Sequence, residues 1–389
     1  MEIKEFCCNI DYKAPIVIYG TTVGGKIIYQ CLKRRGITVD FFCDRSNRYK
    51  EFCGIPVNTT DVIEEFHYTI LISVTRSFQS VIRYLEKIGY NTVYVCNELL
   101  LEEDAKDFEV DANEKSLAED FFKIYPIYTS YDLSSNGILL PALEVFITEK
   151  CTLRCRDCSH LIPRYENPKD YNIDEIIENL KNVFSLVDKI SDLIILGGEP
   201  LLHKEIEKLL EFCYKEKKQN KITIISNGTV LPTDNLLKTM KRTGTRLRIS
   251  NYGKYSIHMN DIIKKCQEQK VCCYVNNELW TDMGRIFNHN YTQEELEDIF
   301  NDCPFAFDML LLNGHIFRCA HVAHLNNLKI INSYEHDSVK ISDLTENNLK
   351  KKQDMLKKYM KINCLYGCQY CNGIKNSISG IEPAIQGRR

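Results

Sequence analysis

A chain of 389 residues with 44% hydrophobic and 26% charged residues reads as a globular protein of two or three domains, because single cores stop growing well below that length. A net charge of −3 gives no electrostatic case for nucleic acid or an anionic membrane, and no apolar run approaches the roughly 18 residues that span a bilayer. The opening "MEIKEFCCNIDYK" is too polar and acidic for a signal peptide, so a cytoplasmic location is the expectation.

Residues 14 to 100 alternate between strand and helix patterns. "PIVIYG" is a short apolar strand, "GGKIIYQCLKRRG" has helical periodicity and closes on Gly36, and "TVDFFCD" is a second strand. "TILISV" and "TVYVC" continue the pattern around the helix "SFQSVIRYLEKIG". Alternation of this kind predicts a parallel sheet covered on both faces, a Rossmann-like domain. In the first turn, "GTTVGG", Gly20 and Gly25 take the outer positions of G-x-G-x-x-G and Thr22 takes the middle one. Asp44 ends the second strand, where a ribose-binding acid would sit. A nucleotide site and a plain structural turn both fit this stretch. The segment resembles the Rossmann-like domains attached to bacterial polysaccharide and sugar-modifying enzymes.

From 101 to 140 the chain turns acidic, as in "LEEDAKDFEVDANEKSLAED", and reads as a connecting helix or linker solvated on most faces. The βα pattern then restarts. "LEVFIT" is a strand leading into "CTLRCRDCSH", and "IDEIIENLKNVFSLV" is a helix with Asn172 as N-cap. "DLIIL" ends in "GGEP", "KITIIS" precedes "NG", and "RLRIS" precedes "NYG"; "VCCYV" is a fifth strand. Each polar motif falls at a strand end, where α/β sheets collect their chemistry.

Eighteen cysteines in a long, periodic chain point to reduced thiols, some of them on metal. Cys151, Cys155 and Cys158 share one loop with C-x3-C-x2-C spacing, and His160 follows them. A structural zinc site needs a fourth ligand nearby, for which His160 is a candidate. An iron–sulfur cubane held by three thiolates keeps one iron open. The C-x3-C-x2-C loop after one strand, with "GGEP" after the next, resembles the radical S-adenosylmethionine (SAM) superfamily. That resemblance implies a [4Fe–4S] cluster on Cys151, Cys155 and Cys158 that binds SAM. It also implies that Gly197, Gly198, Glu199 and Pro200 receive the amino group, and that Asn227 and Ser250 lie near the carboxylate and ribose. Adjacent glycines would let backbone come close, and Glu199 would accept from an ammonium group. The family usually has an aromatic residue just before the third cysteine; here it is Asp157.

A second group comprises Cys303, Cys319, Cys364, Cys368 and Cys371, with "NGH" at 313 to 315 predicting a hairpin that returns towards Cys319. C-x10-G-x4-C followed by C-x2-C resembles the twitch, or shortened SPASM, extension. That implies one auxiliary [4Fe–4S] cluster on Cys303, Cys319, Cys368 and Cys371, with Cys364 an alternative ligand; a structural zinc site is the plainer reading. His321 and His324 stay unassigned. Strand alternation in "VCCYV" points either Cys272 or Cys273 into the barrel, as a candidate hydrogen-atom donor or as packing. Tyr252 and Trp280 are candidates for a pocket wall or the core. "KKKQDMLKKYMK" reads as a solvated helix face, and "EPAIQGRR" as a loose tail.

The organisation so implied is a Rossmann-like domain (1–105), a linker (106–140), a partial (β/α)6 radical SAM barrel (141–300) and a twitch/SPASM-like auxiliary domain (301–389). The resemblance implies an enzyme of oxidoreductase or epimerase type that takes a hydrogen atom from a sugar, cyclitol or polysaccharide precursor. A reductant such as flavodoxin or ferredoxin would serve it. Such a cluster is similar to that of the aminocyclitol dehydrogenase of aminoglycoside biosynthesis. The alternative is a maturase acting on a ribosomally made precursor peptide, and a third reading is a non-catalytic metal-binding adaptor.

Overall fold

The structure is a computed structural model. It describes all residues except 9–11, 13, 46–48, 66, 76–77, 102, 112–113, 130–137, 278–279, 285, 302, 304, 307, 374–380 and 388–389. The chain divides into two compact units, Met1–Ser134 and Ser135–Arg389.

The first unit runs β1 (Glu2–Glu5), β2 (Ile16–Tyr19), α1 (Val23–Arg34), β3 (Phe41–Cys43), β4 (Glu51–Phe52), β5 (Ile55–Asn58), α2 (Val62–Glu65), β6 (Thr69–Ile72), α3 (Phe78–Lys87), β7 (Thr92–Val95), α4 (Asn97–Leu100) and α5 (Lys115–Thr129). Its strands order as β1-β7-β6-β2-β3-β5-β4, parallel throughout except for β4 on β5. The four predicted strands are β2, β3, β6 and β7. Helix α1 starts where the Thr22 hydroxyl accepts from Gly25 N, and Ile27, Ile28, Cys31 and Leu32 form its buried stripe. The expected linker is corrected here. Residues 115–129 form α5, with Ala118, Phe121, Tyr125 and Tyr128 buried in the unit's core. The Tyr125 hydroxyl donates to Ile72 O at 2.6 Å, so α5 is fastened to the sheet.

The second unit runs β8 (Leu139–Phe146), α6 (Ile173–Leu186), β9 (Lys189–Leu196), α7 (Ile206–Glu216), β10 (Gln219–Ser226), α8 (Asp234–Thr243), β11 (Arg246–Ser250), α9 (Met259–Gln269), β12 (Cys273–Asn276), α10 (Gln293–Asn301), β13 (Asp308–Leu312), β14 (His315–Phe317), α11 (Ala320–Asn327), α12 (Tyr334–Asp337), β15 (Ser338–Lys340) and α13 (Leu349–Met360). The sheet order is β12-β11-β10-β9-β8-β13-β14-β15. Strands β12 to β13 are parallel neighbours, and β14 and β15 are antiparallel. Six parallel strands are present, as a partial (β/α)6 barrel requires. The sixth, β13, adds beside β8 and not after β12, and among the described residues the sheet is open. The segment from 301 onward is therefore continuous with the core sheet.

Register lines up the functional ends. Val145 pairs with Ile195, Ile195 with Ile224, and Ile224 with Leu247. The loops after β8, β9, β10 and β11 consequently leave the sheet along one edge. Asn172 caps α6, its side chain accepting from Asp174 N and Glu175 N as expected. Asn313 and Gly314, with φ of 50° and 71°, make the tight turn of the β13–β14 hairpin. Helix α13 is half-buried, not merely solvated, with Leu356, Tyr359 and Met360 in the core. Among the described residues, no helix is long and apolar enough to cross a membrane.

Candidate functional site

The loop after β8 carries Cys151, Cys155 and Cys158, and backbone bonds stitch it to the loop after β9. Gly198 N donates to Thr148 O and Glu199 N to Lys150 O, each at 2.8 Å. Close approach is possible only because the second loop opens with two glycines. A Cβ on Gly197 would stand 2.7 Å from Thr148 O, and one on Gly198 would stand 2.8 Å from Cys151 Cβ. These glycines admit the cysteine loop's own backbone. Gly198→Ala is expected to push the two loops apart at a cost of about 2–3 kcal/mol, measurable by urea denaturation of the metal-free protein.

Glu199 has partners within the chain. It is fully buried, its Oε2 accepts from Asn227 N (2.8 Å) and Ser226 Oγ (3.1 Å), and its Oε1 accepts from Leu201 N (3.1 Å). Burial raises its carboxyl to about 7, against the pull of those three bonds. Glu199 ties the loop after β9 to the end of β10, and its carboxylate is engaged before any ammonium arrives. Pro200 is buried beside it and opens a short turn of 3₁₀ helix. Asn227 donates from Nδ2 to Cys151 Sγ (3.5 Å) and Thr152 Oγ1 (3.3 Å). Ser256 Oγ donates to Asn227 O (2.8 Å) and Ser250 O (3.1 Å), which joins the ends of β10 and β11. Sequence reasoning missed Ser256, which sits in a loop without periodicity.

Burial pushes the Cys151 thiol up to about 12 and Cys155 to about 11, and raises Cys158. Uncharged thiols are the stable form there until a metal displaces their protons. Asp157, in the position where an aromatic was expected, is buried and accepts from Arg156 Nε at 2.9 Å. Aromatic side chains stand in the loops after β11 and β12. Tyr252 meets Trp280 edge to face at 5.3 Å, and Cys155 and Cys158 lie near enough to act on the Tyr252 phenol. His160 packs half-buried against the Phe146 ring at 5.7 Å, and desolvation lowers its imidazole to about 4. Its Nδ1 pairs with Ser159 Oγ at 3.1 Å. A fourth metal ligand would have to leave that packing.

The second cysteine group converges as well. Cys303, Cys319, Cys368 and Cys371 line one apolar cavity with Phe300 and Arg318. Cys319 is the N-cap residue of α11, two residues past β14. Cys364 lies apart and accepts from Gln293 Nε2 at 3.3 Å. Asp337 fixes the turn bearing Cys368, since Oδ1 accepts from Tyr366 N (2.7 Å) and Oδ2 from Gly367 N (2.8 Å). Sequence reasoning missed both Asp337 and Arg318. The charged residue directly before Cys319 in "HIFRC" was the available signal for the latter.

Helix α11 joins the two groups, for His321 Nδ1 reaches Ser159 O at 3.1 Å and His324 Nδ1 reaches Tyr165 OH at 2.7 Å. Both histidines thus pack against the first cysteine loop. Among the described residues, no three His, Cys, Asp or Glu side chains stand close enough to hold a single metal ion. A cubane makes a different demand, because each thiolate binds its own iron. Two all-thiol sets in apolar surroundings, the first beside an amide donor from Asn227, suit that group.

One pair of candidate residues is placed, and one further expectation is corrected. The Cys273 thiol pairs with that of Cys266 on α9, so it faces the helix layer; alternation puts Cys272 on the other face, where it is exposed. The segment read as a loose tail is bonded to the cysteine loop, with Arg156 N donating to Ile385 O (2.7 Å) and Gly387 N to Arg154 O (2.8 Å). Arg388 and Arg389 lie outside the described residues.

In the first unit the "GTTVGG" turn is filled by its own surroundings. A Cβ on Gly20 would fall 2.5 Å from Val74 Cγ1, and one on Gly24 would collide with the edge of the Phe121 ring, 2.2 Å from its Cε2. Asp44 Oδ2 accepts from Thr21 N (2.8 Å) and Thr21 Oγ1 (2.6 Å). These contacts account for the motif as a turn that seats α1 on the sheet.

Comparison with known proteins bears on the second unit. The family model of the radical SAM superfamily matches residues 145–250. The GTP 3',8-cyclase of Clostridium acetobutylicum is 31% identical over 116 residues, covering 29% of this chain and 35% of that one. Molybdenum cofactor biosynthesis protein 1 of Dictyostelium discoideum is 38% identical over 92 residues, covering 23% of this chain and 14% of that one. The chain thus spans about a third or less of these two relatives. Among solved structures, BtrN in complex with AdoMet and 2-DOIA is similar with a TM-score of 0.40 and 15% identity, covering 64% of this chain and 98% of that one. Streptococcus suis SuiB bound to S-adenosylmethionine gives 0.32 and 14%, covering 78% and 82%.

Proposed function

From a chain whose residues 145–250 are a radical SAM domain, we propose an enzyme that cleaves SAM reductively and takes a hydrogen atom from a carbon of a sugar, cyclitol or polysaccharide precursor. The observation that carries it is the first site itself: three cysteines, Cys155 buried and Cys151 and Cys158 half-buried, in a loop stitched to "GGEP" at the common edge of a parallel sheet. Cys151, Cys155 and Cys158 would hold a [4Fe–4S] cluster and its SAM. When bound, that cluster supplies the electron that yields methionine and a 5′-deoxyadenosyl radical. The chain's own residues bind and orient. Gly197, Gly198, Glu199 and Pro200 hold the cysteine loop against the sheet edge. Asn227 presents its amide to Cys151 Sγ, and Ser250 with Ser256 fixes the neighbouring loop. Tyr252 and Trp280 offer the apolar wall for adenine that Asp157 does not.

Cys303, Cys319, Cys368 and Cys371 would hold one auxiliary [4Fe–4S] cluster, and their common cavity favours this set over one containing Cys364. Dehydrogenation fits better than epimerisation, because Cys273 faces the helix layer and Cys272 is exposed at the start of its strand. A reductant of the flavodoxin or ferredoxin class would supply electrons. The similarity to the two curated relatives leaves most of their length unmatched, so their substrates do not transfer.

The test is anaerobic reconstitution with iron and sulfide, an iron count, and an assay for 5′-deoxyadenosine with sugars, cyclitols and a peptide panel. About eight irons per chain are expected, falling to about four, with SAM cleavage abolished, in Cys151→Ala/Cys155→Ala/Cys158→Ala. Loaded protein that leaves SAM intact contradicts the enzyme reading. Stimulation of cleavage by peptides alone shifts the substrate to a precursor peptide.

A further inference from the structure

Residues 381–387 run between two parts of the second unit's sheet edge. At one end Trp280 and Ile381 form an antiparallel bridge, with Trp280 N donating to Ile381 O (3.0 Å) and Ile381 N to Trp280 O (2.8 Å). At the other end Cys155 and Gln386 form a second bridge, flanked by Arg156 N donating to Ile385 O and Gly387 N to Arg154 O. Between them Ala384 is fully buried and holds a φ of 57°, a conformation that a free tail has no reason to keep. The Gln386 side chain is wholly committed. Its Oε1 accepts from Arg154 N (2.8 Å), and its Nε2 donates to Ala384 O (2.6 Å) and to Cys155 Sγ (3.5 Å).

We propose that residues 381–387 are a strap that completes the first cysteine site, with Gln386 as a positioning residue whose amide holds the Cys155 sulfur. The strap closes the side of the site between Trp280 and the cysteine loop, and it limits access to Cys155. A donor on a cluster thiolate withdraws electron density from sulfur and raises the cluster's reduction potential. The part concerning potential rests on the proposed function; the part concerning the strap does not.

The metal-free protein tests the strap directly, by anaerobic iodoacetamide labelling located by peptide mass spectrometry. In a chain ending at residue 380, Cys155 is expected to label about tenfold faster than in the full chain. Cys213, buried on α7, is the control for global folding. An unchanged Cys155 rate overturns the strap. If Cys213 also labels faster, the shortened chain has unfolded, and Gln386→Leu, which removes both loop-facing bonds at full length, carries the same test. In reconstituted Gln386→Glu, an oxygen replaces the donor facing sulfur. The midpoint potential of the SAM-responsive paramagnetic signal is then expected to fall, and an unchanged potential overturns the role of Gln386. A full-length chain with no SAM-responsive cluster defeats the radical SAM reading, while the labelling result still decides the strap.

Discussion

Glu199→Gln is expected to flatten a pH dependence that the metal-free protein otherwise shows between about pH 4.5 and pH 7. The carboxyl is fully buried, and burial lifts it from an ordinary value of 4.5 to about 7. Within that window the folded protein keeps a proton that the unfolded chain has lost. Stability therefore falls as pH rises through the window, by up to about 3 kcal/mol over the full shift. Glutamine does not titrate, so the difference in unfolding free energy between wild type and variant isolates this group. Buried thiols and histidines titrate in both proteins and cancel. Urea denaturation at pH 5 and pH 8 reads the difference, and parallel behaviour of the two proteins contradicts it. Glu199→Ala has a separate effect at any pH. It strands Asn227 N, Leu201 N and Ser226 Oγ without their acceptor, for a loss of about 2–4 kcal/mol.

Much of this site is legible in the sequence because strand ends are. Apolar runs that stop at "T-E-K-C", "GGEP", "NG" and "NYG" place four loops on one edge once the strands are parallel and in register. What those loops do to each other was not legible. Spacing shows that Gly197 and Gly198 lack side chains, but only the fold shows that Thr148 and Lys150 occupy the space. Likewise, "GGEP" offers a carboxylate without revealing that three donors of the chain itself already bond to it.

The misread segments share a cause. Residues 381–387 hold on through backbone amides and one glutamine, and backbone pairing leaves no hydrophobic period to detect. In α5, the acidic stretch before it masked a buried face whose members, Ala118, Phe121, Tyr125 and Tyr128, do follow helical spacing. Strand order is a third case. Nothing in "DMLLL" distinguishes a strand beside β12 from one beside β8, because both neighbours present the same apolar edge.

Arg318→Met is expected to lower the iron content from about eight to about four per chain while leaving SAM cleavage in place. Arg318 is only 1% exposed, and a buried cation needs both hydrogen-bond acceptors and nearby negative charge. The acceptors are visible: Nε donates to Ala306 O at 2.8 Å, and Nη1 donates to Tyr359 O and Ile362 O at 3.1 Å each. The guanidinium also lies over the Phe300 ring at 4.7 Å. Those three carbonyls belong to the segments that deliver Cys303 and the turn carrying Cys368 and Cys371, so one side chain sets their spacing. The negative charge is what four thiolates on an auxiliary cluster would bring, since Cys303, Cys319, Cys368 and Cys371 line the same cavity as Arg318. Methionine fills much of the volume yet supplies neither the fork nor the charge. Lysine keeps the charge but not the planar fork, and is expected to retain an intermediate iron content. Charge compensation also predicts that reconstitution stabilises the wild type more than Arg318→Met, as read by thermal unfolding of loaded and metal-free samples of each. Equal gains in the two proteins, or eight irons in the methionine variant, would show that the cation serves the backbone alone.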